Sequence, residues 1–167
     1  MTHTNTNTDQ AELLVKTVIH NWNLQNQRLD SLLEQLSDED LARETAPGRN
    51  TGNWLLGHLT AVNDGMLPLL GLREKLYPWL QLIFIDNSDK SGLEFPPTAD
   101  LRKFRKDVNA ALTEHFNAMQ VQDWTDRHQA VTEEDFQKEP HRNKIGMLIN
   151  RTAHLSYHLG QLIYLIK

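Results

Sequence analysis

Apolar positions recur with a helical period in four stretches of the chain. From about Asp9 to Leu36, Ala11, Val15, Val18, Trp22, Leu29, Leu32 and Leu36 step by three, four or seven residues, a spacing that gathers side chains on one face of an α-helix. Leu55, Leu59, Val62, Met66 and Leu69 repeat it behind Thr51, a hydroxyl residue placed as an N-cap, and Pro68 and Gly71 predict a stop near Leu70. Leu101, Phe104, Val108, Leu112, Phe116 and Met119 mark a third helix, about Ala99 to Ala118, with Thr98 as its cap. The fourth, about Asn143 to Ile166, carries Ile145, Leu148, Thr152, Leu155, Leu159, Leu162 and Ile166.

Between these stretches the pattern breaks. Ser37 with Asp40 three residues on has the form of a capping box for a short turn, and residues 46–52 carry loop chemistry. Residues 72–97 mix an apolar run with a polar loop. A strand at Ile83-Phe84-Ile85 would have no partner, so an ordered crossover is expected. Four amphipathic helices with a long connection between the second and third predict an all-α chain, an antiparallel four-helix bundle. Residues 9–167 are read as one domain. The polar "MTHTNTNT" is read as a disordered tail over residues 1–8. It has neither the basic nor the apolar region of a secretion signal.

Composition narrows the chemistry. The chain has 167 residues, 39% hydrophobic and 23% charged, with a net charge of −5. No basic stripe favours nucleic acid, and no apolar run is long enough to span a membrane. There are no cysteines, which removes disulfides, thiolate nucleophiles and thiolate zinc sites and fits a cytoplasmic protein.

Eight histidines remain, and two of them, His154 and His158, stand four apart in "HLSYHLGQL". On a helix they lie one turn apart and about 40° around the axis, so they can share a ligand. His58, in "NTGNWLLGHLTAVND", flanks the stripe of the second helix and is the natural candidate for a third ligand, with a packed core histidine, or one that supports a ligand, as the alternative. A zinc protease would need glutamate after the first histidine, where Leu155 stands, and a di-iron bundle would need Glu-x-x-His pairs, which do not occur. Asn150 and Gln161 share the His154/His158 face, and either could orient an imidazole or a bound ligand, or make an ordinary hydrogen bond between helices. Trp54, one turn before His58, could line the site, although core packing also accounts for it. Arg151 could meet an anionic substrate or remain solvated, and Tyr157 could donate to a substrate or only pack.

"NTGNWLLGHLTAVND" and "NRTAHLSYHLGQL", with their helix order and intervening crossover, resemble the DinB/YfiT-like superfamily. The resemblance implies a four-helix bundle, usually a homodimer. It also implies a divalent metal, commonly nickel or zinc and alternatively manganese or iron, held by His58, His154 and His158. Members include thiol-dependent S-transferases and isomerases. The expected activity is therefore activation of a low-molecular-weight thiol toward a small electrophilic substrate. Hydrolysis by metal-bound hydroxide, or a non-catalytic dimeric bundle that binds metal or ligand, are the alternatives.

Overall fold

The computed structural model describes residues 4–166. Four long helices dominate: α1 (Thr4–Gln35), α3 (Gly52–Leu69), α5 (Thr98–Ala118) and α7 (Lys144–Leu162). Three short ones lie between them: α2 (Asp38–Leu41), α4 (Leu80–Phe84) and α6 (Glu133–Lys138). Single 3-10 turns occupy Val121–Thr125 and Ile163–Leu165. The described residues contain no strand, only two isolated bridges, and the chain is all-α. No helix among them is long and apolar enough to cross a membrane.

The stripes are what the helices bury. Trp22, Leu29, Leu32 and Leu36 from the first, Leu55, Leu59 and Met66 from the second, Leu101, Val108 and Leu112 from the third, and Leu148, Leu155 and Leu162 from the fourth join one apolar cluster. Removal of that surface from water is the main force holding the helices together. α1 packs chiefly on α7 and α3 chiefly on α5, with α3 also touching α7.

Local chemistry sets the ends. Ser37 and Asp40 form the reciprocal capping box of α2, Thr51 Oγ1 accepts the backbone N–H of Trp54 at the start of α3, and Asn143 Oδ1 accepts that of Gly146 at the start of α7. Three expectations need correction. Thr98 does not cap α5; it is the first helical residue, preceded by Pro97, and its hydroxyl reaches Asn53 Oδ1 on α3 instead. Ile166 lies past the terminal 3-10 turn and is exposed. The helix α1 begins at Thr4, inside the stretch read as a tail, while residues 1–3 lie outside the described residues. A polar segment with no face to bury still continues a helix already nucleated downstream, because each added residue fixes one more hydrogen bond.

The crossover is ordered, as the lack of a partner strand requires. Asp64, buried on α3, accepts the backbone N–H groups of Leu76 (2.7 Å) and Tyr77 (2.9 Å), which fastens residues 72–79 to the helix. The apolar run then turns into α4, and Phe84 plugs the core with no exposed surface.

Candidate metal centre

Gly57 brings α4 close to α3. A Cβ on Gly57 would stand 2.3 Å from the Phe84 ring, so only glycine lets the ring lie there. Seated in this way, Phe84 places its backbone carbonyl 2.7 Å from His58 Nδ1. A carbonyl can only accept, so Nδ1 carries the proton and the lone pair of His58 sits on Nε2. Trp54 stacks on the His58 ring, with centroids 4.9 Å apart and planes 9° apart.

His158 is fixed in a similar way. Its Nδ1 lies 2.7 Å from Gln161 Oε1 on the same helix, which again leaves Nε2 as the free acceptor. His154 Nε2 lies 3.2 Å from His58 Nε2 and 3.1 Å from His158 Nε2. The structure thus brings His58, His154 and His158 together, with one ligand nitrogen from each within 4.8 Å of the others. At least two lone pairs converge on one point, and a single proton on His154 Nε2 could satisfy only one of them. A cation satisfies all three. Nitrogens about 2.1 Å from a shared ion stand about 3.0–3.4 Å apart at ordinary coordination angles, which agrees with the two short separations. The donor set therefore fits a borderline divalent metal.

The electrostatics favour neutral ligands. Burial pushes His154 down to about 4, helped by His158, His58 and Arg151 nearby. Burial likewise lowers His58 and His158, against the hydrogen bonds from Phe84 and Gln161, which raise them. At neutral pH the imidazoles do not have to shed protons before they bind.

The other candidates are placed as follows. Gln161 holds His158, and Trp54 is buried against His58 with its indole N–H unpartnered. Asn150 is exposed and bonds neither ring among the described residues. Each step of four along α7 turns about 40°, and burial rises along Asn150, His154 and His158, so Asn150 has rotated into solvent. Tyr157 is also exposed, 65%, although its ring edge meets His158. The Phe84 carbonyl was not foreseeable from the sequence, because it is a backbone atom delivered by a close approach. The only signal was a glycine one position before His58.

A cavity of about 460 Å³ opens beside His58 and His154, walled by α3, the crossover and α7. The cluster is therefore reachable, as an ion that also binds substrate requires. No curated protein matches the chain. The family model of the DinB superfamily matches residues 21–162, spanning both histidine-bearing helices and the crossover between them, and the chain belongs to that superfamily.

Proposed function

We propose that the protein is a metal-dependent enzyme in which His58, His154 and His158 hold a divalent ion, nickel or zinc, and a low-molecular-weight thiol is activated there for transfer to a small electrophile. The observation that carries this reading is the convergence of three Nε2 atoms beside an open cavity. A bound ion would supply Lewis acidity, favouring the thiolate form of a coordinating thiol or the hydroxide form of water.

The chain's own residues do the rest. Phe84 and Gln161 keep the imidazole lone pairs aimed at one point. The neutral ligands leave the ion its full charge. Ala61, Val62 and Leu69 give the cavity an apolar wall that excludes water from a bound molecule. Among the described residues lining the cavity there is no carboxylate to act as a base, and this favours a nucleophile whose deprotonation needs none. The proposal includes a cytoplasmic homodimer, and the exposed Ile149 and Tyr157 of α7, with Ile163 and Tyr164 of the 3-10 turn that follows it, give it apolar surface to bury.

Metal analysis of tag-free protein tests the centre. About one ion per chain is expected, and none in His58→Ala. Cobalt-substituted protein should then show a sulfur-to-metal charge-transfer band on addition of a thiol. Turnover of electrophiles that needs no thiol would assign hydrolysis instead. No ion after incubation with nickel, zinc and manganese would overturn the metal reading altogether.

A further inference from the structure

The cavity beside the histidines has a charge character that the metal reading does not use. Its size lies within the range of small-molecule sites. Two cations also line it, Lys75 from the crossover and Arg151 from α7, and no acid does so among the described residues. Lys75 Nζ donates to Gln81 Oε1 at 2.9 Å, and Gln81 in turn donates to Asp86, so Lys75 has no direct ion pair among the described residues. Arg151 is half-buried, its Nε is shielded from solvent without a partner, and it forms no ion pair among the described residues. Burial alone holds its guanidinium below the ordinary value, with no acid acting the other way.

A surface arginine would keep its guanidinium in water, and a structural one would find a carboxylate or carbonyl, as Arg102 does with the carbonyls of Leu33 and Leu36. Arg151 has no such partner among the described residues, and its Nε is shielded from water as well. A partly desolvated cation without a counter-ion is unfavourable by itself, and a planar fork of N–H donors matches a carboxylate. The buried acid next in sequence to the cavity, Asp64, is engaged by two backbone N–H groups of the crossover. Space is available as well, since a Cβ on Gly65 would meet nothing within 4 Å.

We propose that the substrate held against the three histidines is a small carboxylic acid. Its carboxylate pairs with Arg151 and Lys75, and its short apolar body lies along Val62 and Leu69. This assignment rests on the histidines being the reacting centre, because adjacency to them is what makes the occupant a substrate.

The test is a nitrogen-15 NMR titration with three probes of one shape: 3-phenylpropanoate, 3-phenylpropan-1-ol and 3-phenylpropylamine. Both metal-stripped and zinc-loaded protein are used. The propanoate should bind about tenfold more tightly than the alcohol, the amine more weakly than either, and the shifts should centre on the amides of Gly65, Lys75 and Arg151. Arg151→Gln should bring acid and alcohol level, and Lys75→Gln should narrow the gap. Gly65→Leu places a good helix former where glycine stands, so it should fill the cavity and abolish binding while melting no lower than the parent. Equal binding of acid and alcohol by the parent overturns the proposal. So does a preference that survives the double Arg151→Gln, Lys75→Gln change, or an absence of shifts with every probe at millimolar concentration. An acid preference in a chain that takes up no metal would support the carboxylate site while the thiol chemistry falls. One ion per chain with no preference would do the reverse.

Discussion

Arg105 on α5 and His158 on α7 are both buried polar side chains on long helices, but their neighbourhoods differ in kind. Arg105 faces α1. Its Nε donates to Asp30 Oδ1 at 3.0 Å and one terminal nitrogen to Asn26 Oδ1 at 3.1 Å. Asn109 also donates to Asn26, and Asn63 of α3 donates to Asn109. Donors meet acceptors throughout, and only Nη1 of Arg105 is left without a partner. Around His158 the order is inverted: Nδ1 of His58 and of His158 is satisfied outward, and their Nε2 acceptors both face His154 Nε2. The first cluster is complete as folded and ties three helices in register. The second is complete only when something positive enters it. A buried polar group is therefore informative through the sign of its neighbours, more than through its burial.

Substitutions can separate the two. His58→Ala should remove the ion from the folded protein, taking metal content from about one per chain to none and abolishing metal-dependent turnover, with the far-UV circular dichroism spectrum unchanged. Arg105→Ala should leave metal content per folded chain untouched while lowering stability on the order of 3 kcal/mol, because Asn26 loses its charged donor and the core loses a packed stem. Denaturant melts measure it. If Arg105→Ala also empties the metal site, the clusters are coupled and the contrast fails. Gly57→Ala is subtler. It should push Phe84 and its carbonyl away from His58 and weaken metal affinity about 10–100-fold, read by competition with a chelating dye. Gln161→Leu, which removes the acceptor on His158 Nδ1, should cost about tenfold by the same assay.

The contrast also has a pH signature. His154 has its folded pKa pushed down to about 4 from an ordinary 6.5, so between those values the unfolded chain binds a proton that the folded chain does not. Stability of the metal-free protein should therefore fall as pH drops from 6.5 toward 4, and should be insensitive to this group above 6.5. A melting temperature that stays flat through that window would show that the imidazoles are not desolvated as the structure has them.

The sequence exposes these regions unequally. Helix faces were readable because a period of 3.6 leaves a pattern that packing then uses, and the histidine cluster was readable because two of its members share one helix and the third sits beside a second stripe. The Arg105 seam was missed, although it left a trace: the first stripe jumps from Trp22 to Leu29, and Asn26 occupies the vacant slot, just as Arg105 stands four after Leu101 and Asn63 four after Leu59. Polar residues in core slots interrupt an apolar stripe and look like gaps in it. Thr98 misled because a hydroxyl before a helix usually caps it, whereas Asn53 across the interface offered a competing partner. Asn150 misled because sharing a face at 40° is not sharing a depth. The cavity's Lys75 could not be placed at all, since its position depends on Asp64 gripping a loop that has no periodicity.

Phe84 plugs the core with its ring and steadies His58 with its carbonyl, and it sits on α4, a five-residue helix whose first turn has no side-chain cap. Short, uncapped elements open before the long helices do. Escape of the ion should then follow brief lifting of the crossover, at a rate indifferent to how firmly the four long helices hold one another. The lifetime of a loaded centre and the lifetime of the fold would then be separate quantities, and a bound ion would exchange in a protein that never unfolds.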